Sequence, residues 1–347
     1  MSTNRTNKKP ATLADVARKS GVAAMTVSRA INNSGYVSPE VRKRVMAAAR
    51  ALQYRPNMLA RQLKGHSLKA IGILLPDIAN PFSTELVSGI REVLVPHGYT
   101  TFIATTDRSS EEERAALQSF VDHRIDGVIV ATRGTRFGTE SLQSLAKQNI
   151  PTVVVGRDSG VARIDSVMAD HYQGAFDAVT HLISIGHRRI GFIGIAHEDR
   201  TSLRRYAGYA AALKQAGIAE KKEYIAGPPD APAFATQEDG FQAMMQLLDL
   251  PKPPTAIFAR NDFAAIGALR AAHTRGCRVP QEIAIAGFDN IPLAAFTTPP
   301  LTTVEQPIHE QGAQAARLLL DRLAGTAGRA RTVVMHCRLV PRESTLK

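Results

Sequence analysis

Cysteine is nearly absent from this 347-residue chain, which holds only Cys277 and Cys337. Two thiols cannot staple a small secreted fold, and their scarcity suits a reduced, cytoplasmic protein. No apolar run approaches the roughly 18 uninterrupted residues that a membrane helix needs. The first ten residues, MSTNRTNKKP, are polar and basic with no apolar segment behind them, so they do not read as a secretory signal. Catalytic signatures are missing as well: there is no GxxxxGKS/T, no GxGxxG after a strand, no GxSxG and no HExxH. The ten histidines are scattered, and His181 and His187 show no metal-ligand spacing with the cysteines. These absences argue against an enzyme and against a bound metal or cofactor.

What the chain does contain is 44% hydrophobic residues, enough for a sizeable core spread over two or three domains. Its net charge of +12 is unevenly placed. Residues 1–66 hold 13 Lys or Arg against Asp15 and Glu40, whereas the other 281 residues hold 30 basic and 29 acidic side chains. The basic residues are interspersed with apolar helix positions. A small folded positive head on a neutral body suggests a polyanion-binding module attached to something else.

Beyond residue 70 the pattern alternates strand and helix. Short apolar runs at 71–75, 101–104, 128–130, 152–155, 190–193, 255–259 and 283–286 read as strands buried on both faces. Segments with helical spacing lie between them, at 85–95, 111–121, 175–183 and 264–272. This alternation predicts parallel sheets covered by helices, and the number of elements predicts two α/β lobes. Ligands of such sheets collect beyond the carboxyl ends of the strands. Candidate positions there are Asp77, Asn80, Phe82, Thr132, Arg133, Gly156, Arg157, Asn261, Asp262, Phe288, Asp289 and Asn290, although Asn and Asp also serve there as turns and helix caps.

Residues 12–51 read as three short helices. Thr12 is an N-cap with Asp15 three residues on, and Gly21 closes the first helix. A second helix runs from about Ala23 to Ile31, and Ser38-Pro39-Glu40 opens a third. Inward-facing stripes are Leu13, Val16 and Ala17, then Val27, Ala30 and Ile31, then Val41, Val45, Ala48 and Leu52. Two helices joined through a glycine turn match the helix-turn-helix pattern, whose second helix enters the major groove. Ala24, Met25, Thr26, Ser28 and Arg29 are the exposed positions near its start.

The stretches TLADVARKSGVAAMTVSRAIN and VSPEVRKRVMAAARALQYRPNMLARQLKG closely resemble the headpiece of the lactose-repressor/galactose-repressor family of bacterial transcription regulators. The likeness continues in order through IGILLPDIANPF, DGVIV, HLISIGHRRIGFI, FARNDFAAIGAL, IAIAGFDN and PPLTTVEQP. It implies that Ala24 and Met25 choose the operator sequence, while Thr26, Ser28 and Arg29 contact phosphates and bases. Thr12 and Asn32 join this DNA-binding set. The resemblance also implies a hinge at 56–63, with Asn57 as its cap, Ala60 allowing close approach and Leu63 wedged into the minor groove. Ala23 departs from the serine that usually caps the recognition helix.

For the body, the resemblance implies a periplasmic-binding-protein-like core whose lobes are joined by three crossovers, near Met168, Pro299 and Thr332. The expected divisions are a headpiece at 1–56, a hinge at 57–66, a first lobe at 67–168 with 299–331, and a second at 169–298 with 332–347. Effector-binding positions carried over are Phe82, Arg133, Arg205, Asn261, Asp289 and Gln306. Gly156 stands where many sugar-responsive members place an aspartate, and the aromatic expected before GFQAM falls at Phe234 or Ala235. Arg133, Arg157 and Arg260 would make the pocket cationic and favour a sugar acid or sugar phosphate over a neutral sugar; alternatively they face solvent or carry inter-lobe ion pairs. The expected function is a sequence-specific DNA-binding repressor, a homodimer on a near-palindromic operator, switched by a small carbohydrate-derived effector. The family's leucine-heptad extension is missing, which favours a dimer over a tetramer. The rival reading is a secreted solute-binding protein with the same body, which the basic head and missing signal oppose.

Overall fold

Cap residues set the ends of the first helices in the computed structural model, which describes residues 11–54, 67–106, 109–131, 136–195, 199–227 and 236–346. The chain forms two compact units, Met1–Leu68 and Lys69–Lys347. In the first, α1 (Leu13–Ser20) opens with a capping box: Asp15 N donates to Thr12 Oγ1 at 3.3 Å and Thr12 N donates to Asp15 Oδ2 at 2.9 Å. Two donors with no partner in the helix are thereby satisfied. Gly21 ends α1 at φ 64°, a conformation glycine adopts without a Cβ clash. The second helix, α2 (Ala24–Asn32), starts from Ala23 with no side-chain cap, and α3 (Pro39–Ala51) starts from Ser38, whose Oγ accepts from Val41 N. The three helices bury Val16, Val27, Ala30, Val45, Ala48 and Ala49. Arg42 Nη1 donates to the Ala30 carbonyl at 2.8 Å, tying α3 to the end of α2.

The second unit alternates strand and helix through β1 (Ala70–Leu75), α4 (Pro81–Leu94), β2 (Thr100–Thr105), α5 (Ser110–Asp122), β3 (Gly127–Val130), α6 (Arg136–Lys147), β4 (Thr152–Val155) and β5 (Asp165–Ala169). With β11 (Thr332–Met335) these strands form a parallel sheet in the order β11-β5-β4-β3-β1-β2. The next stretch supplies α7 (His171–Ser184), β6 (Ile190–Ile193), α8 (Arg200–Gln215), β7 (Ile225–Ala226), α9 (Gln237–Leu248), β8 (Ala256–Ala259), α10 (Asp262–Thr274) and β9 (Ala284–Ala286). Its strands form a second parallel sheet, β7-β6-β8-β9. Central strands such as β1, β3, β4 and β8 are buried throughout, as their continuous apolar runs require. The expectation of two buried faces does not hold for β2. It is an edge strand, and Phe102 and Ile103 are 51% and 42% exposed.

Both later crossovers fall further along the chain than expected. Strand β10 (Thr303–Glu305) pairs with β12 (Arg338–Val340) and is bridged to the second sheet at Ala286–Thr302 and Asp289–Glu305. Residues 299–305 therefore stay with the second lobe. The return to the first lobe begins with α11 (Ile308–Leu323), which packs on α4 and the first sheet. The last passage follows Met335 rather than Thr332, because β11 needs a hydrogen-bonding edge and finds it along β5. An ion cluster fixes this return. Asp165 is fully buried and accepts from Arg322 Nη2 at 2.6 Å, Arg331 Nη2 at 2.8 Å and Arg331 N at 2.7 Å. Burial would raise its carboxyl, but these hydrogen bonds outweigh burial and hold it below the usual range.

Glycine lets α9 and α10 meet backbone to backbone. A Cβ on Gly267 would stand 1.9 Å from the Gln237 carbonyl oxygen, and one on Gly240 2.1 Å from that of Ala264. The final residues close the second lobe. Ser344 Oγ donates to the Ile285 carbonyl at 2.6 Å and accepts from Thr302 N at 2.7 Å, while Thr345 meets His181 Nε2 at 2.8 Å. No helix among the described residues is long and apolar enough to cross a membrane.

Candidate functional site

Two surfaces carry the sequence-expected residues. On the first unit, Ala24, Met25, Arg29 and Asn32 are exposed, and Thr26 and Ser28 are half-buried beside them. Met25 is 65% exposed, a large apolar side chain left outside the core formed by Val27 and Ala30 on the same helix. Asn32 Nδ2 donates to Ser28 Oγ at 3.3 Å, so the polar groups of α2 are ordered along one face. Thr12 is committed to its cap, where its hydroxyl donates to Asp15 Oδ2 at 2.7 Å. Asn57, Ala60 and Leu63 lie outside the described residues, as do Arg133, Phe234 and Ala235.

The second surface is a cleft in the second unit, walled by the carboxyl ends of both sheets. Its first-lobe wall includes Asn80 and Phe82 after β1, Ala131 after β3 and Gly156 after β4. Its second-lobe wall includes His171, Asp199, Ser202, Arg205, Arg260, Asn261 and Asp289, with Gln306 on the crossover. Parallel strands that all point the same way bring these distant loops to one place. Phe82, Arg205, Asn261, Asp289 and Gln306 thus come together. Asn80 and Asn261 also cap α4 and α10, each accepting from a backbone amide.

Arg205 organises the floor. Its Nη2 donates to Asp289 Oδ1 at 3.0 Å, its Nη1 donates to the Arg260 carbonyl at 2.5 Å, and its guanidinium lies 3.8 Å from the centre of the Phe288 ring. Gln306 Nε2 donates to the same Asp289 oxygen at 2.6 Å. Asp289 sits at φ 118°, a backbone state costing about 1–3 kcal/mol outside glycine. It is held there by the two side-chain bonds and by its own amide donating to the Val304 carbonyl at 2.8 Å. Behind this floor, Asp262 is fully buried and accepts from Thr303 Oγ1 at 2.5 Å and Ile291 N at 2.8 Å. Burial, reinforced by the Asp289 charge, pushes its carboxyl well above the usual range.

Arg260 and Asp199, both buried, face each other at 3.9 Å. The charges of Arg205 and Arg260 are therefore matched by Asp289 and Asp199. Arg157 is buried and does not line the cleft. The expectation of a cationic pocket fails among the described residues, because each arginine in the wall brings its own carboxylate. Among the described residues, no group of three or more His, Cys, Asp or Glu could hold a metal ion.

Comparison with known proteins matches residues 12–57 to the model of bacterial regulatory proteins of the lacI family, and residues 179–345 to that of a periplasmic binding protein-like domain. The HTH-type transcriptional repressor CytR of Escherichia coli K12 is 38% identical over 337 residues, covering 96% of each chain. The chain belongs to the lacI family. Catabolite control protein A of Priestia megaterium, another relative, is 33% identical over 96% of this chain and 99% of its own. Among solved structures, the lac repressor dimer bound to operator and the anti-inducer ONPF matches with a TM-score of 0.86 at 29% identity, covering 98% of this chain and all of that one. The regulator CelR in complex with cellobiose matches with a TM-score of 0.73 at 31% identity, covering 96% and 99%. This lacI-family chain is accordingly a DNA-binding transcriptional regulator with a helix-turn-helix head and an effector-binding core.

Sequence reasoning missed His171, Asp199 and Ser202 in the cleft wall. His171 follows β5, whose sequence DSVMA is too short and too polar to read as a buried strand. Asp199 caps α8 just beyond residues 196–198, which are not described. A search for polar residues after every strand would have found His171 only if β5 had been recognised.

Proposed function

We propose that the chain is a repressor that binds a near-palindromic operator as a homodimer, and that an uncharged, hydroxyl-rich effector in the inter-lobe cleft lowers its operator affinity. The observation that carries this reading is the balanced Arg205–Asp289–Gln306 arrangement, which receives contributions from the second lobe and the crossover while Phe82 and Gly156 face it from the first. Asp and Asn oxygens accept from hydroxyls and guanidinium donates to them, so such a floor suits a sugar moiety. Charge matching within the wall favours a neutral ligand over a sugar acid or phosphate. Gly156 supports the same reading, since nothing lies within 4 Å of where its Cβ would be and the space is left for the ligand. Relatives solved with cellobiose and with ribose fit this ligand class.

In the head, Ala24 and Met25 read base edges, Thr26, Ser28 and Arg29 hold phosphates or guanine, and Leu63 acts as the hinge wedge. A ligand bridging two lobes favours whichever lobe arrangement it fits best, and that differential affinity is what shifts the head. Fluorescence anisotropy on an operator selected from randomised duplexes tests the reading. Wild-type chain should release the operator when its sugar is added. Arg205→Ala should keep operator affinity within about threefold and lose the response, because Arg205 belongs to the second unit and takes no part in the helices of the head. A full response in that variant removes Arg205 from the effector site, and no preference for any duplex refutes the repressor reading.

A further inference from the structure

The first lobe buries two polar side chains that none of the preceding roles uses. Gln311 is the fourth residue of α11 and Ser83 the third of α4, and both are 0% exposed. Among the described residues, neither Oε1 nor Nε2 of Gln311 makes a hydrogen bond, and neither does the Ser83 hydroxyl. Buried polar groups are nearly always paired, and an apolar side chain of the same shape packs such a place at lower cost. A glutamine kept there points to a hydrogen-bonding partner from outside the chain.

The packing around the amide shows where that partner comes from. Ile308 and Ala315 lie three positions before and four after Gln311, and so share its face of α11. Both belong to the apolar cluster that contains Ala131 and Val155, with Phe82 packed against it. Ala131, Val155 and Phe82 also line the effector cleft. Gln311 is therefore set in the apolar layer that forms the first-lobe wall of the cleft, and Ser83 follows Phe82 directly on α4. Phe82 is only half-buried, and it borders a second cavity of about 490 Å³ together with Pro81, Thr84, Pro307 and Ile308. Its ring has room to swing out of the wall and open the layer behind it.

We propose that Gln311 and Ser83 form a second polar subsite of the effector cleft, in the first lobe behind Phe82, which takes a hydroxyl of the ligand. The proposal rests on the effector reading of the cleft and deepens it. The amide oxygen can only accept and the amide nitrogen can only donate, and a ligand hydroxyl does both. The effector is then polar at both ends: one end meets Arg205, Asp289 and Gln306, and the other meets the Gln311 amide. A ligand with an apolar first-lobe end is rejected, because it leaves that amide unpaired.

Thermal unfolding and calorimetric titration of the full chain decide this. Gln311→Met keeps the length of the side chain and removes its polar atoms. In the ligand-free chain it should raise the thermal midpoint by about 2 °C or more, because a buried amide without partners is lost. An amide paired through the chain or through a bound water would be missed instead, so an unchanged or lowered midpoint overturns the proposal. Titration uses D-ribose and cellobiose. For a sugar that binds, Gln311→Met should weaken affinity about tenfold or more, and Ser83→Ala about threefold or more. A raised midpoint together with weaker binding is the mark of a group kept for a ligand at the expense of stability. Unchanged affinity in both variants overturns the subsite. If neither sugar binds the wild-type chain, the carbohydrate reading fails, and the ligand-free midpoint of Gln311→Met still decides the subsite: a rise supports it and no rise overturns it.

Discussion

At the scale of single residues, the cleft floor separates two carboxylates that sit close together. Asp289 is held as an acceptor by Arg205 and Gln306, while burial and the Asp289 charge push the carboxyl of Asp262 behind it well above the usual range. A carboxyl raised above its unfolded value keeps a proton that the unfolded chain releases. Stability from this source is therefore present in acid and lost as pH rises from about 3.8 towards the folded value. Asp262→Asn keeps the shape without the ionisation. Compared with wild type in urea unfolding, it should gain relative stability from pH 4 towards neutrality, and parallel pH curves would count against a raised Asp262 carboxyl. His171 works in the opposite sense: its lowered value costs stability as pH falls below about 6.5, because only the unfolded ring then takes a proton. Neither effect was legible in the sequence. Asp262 reads there as an ordinary first-turn acid of a helix, and only the packing of Gly287, Thr303 and Ile291 around it removes it from water.

At the scale of elements, helix ends and helix contacts give the clearest tests. Helix α2 begins without a side-chain cap at Ala23, whereas α1 and α3 are capped by Thr12 and Ser38. Ala23→Ser should stabilise the head by about 0.5–1 kcal/mol, read from its thermal midpoint, because the backbone there is already extended for a cap. No gain would mean that solvent already serves those amides as well. Gly267→Ala should destabilise the second lobe by about 1–3 kcal/mol or more, since its methyl would meet the Gln237 carbonyl and force α9 and α10 apart. An unchanged urea midpoint would show that the helices slide freely. The apolar strands β1, β3, β4, β6 and β8 were legible because burial on both faces leaves Thr152, at the start of β4, as the one polar residue in them. Strands β5, β7, β10, β11 and β12 were not. Two-residue β7 is too short to show a period, and β11 alternates exposed Thr332 and Val334 with half-buried neighbours at a sheet edge. Both displaced crossover expectations follow from these unread strands.

At the scale of the whole molecule, the chain divides its labour by charge. Nearly all of its net positive charge lies in the first 66 residues, and the cleft walls balance their own. Operator affinity should therefore fall steeply with salt, by about 10³–10⁵ between 50 and 200 mM for 6–10 phosphate contacts. Effector affinity should barely move over the same range, because a balanced cleft and a neutral ligand release few ions. A steep salt dependence of sugar binding would sink the neutral-ligand reading. The division into head and body was legible from that charge split, and Arg205, Asn261 and Asp289 from motif order. The matching of each arginine with a carboxylate was not, because Asp199 and Arg260 are 61 positions apart and meet only in the fold. The closing contacts of Ser344 and Thr345 carry a further consequence, for biosynthesis. The second lobe waits for its last hydrogen bonds until residue 345 has left the ribosome, so on a translating ribosome the basic head can fold and search for nucleic acid before the sensor that governs it is finished.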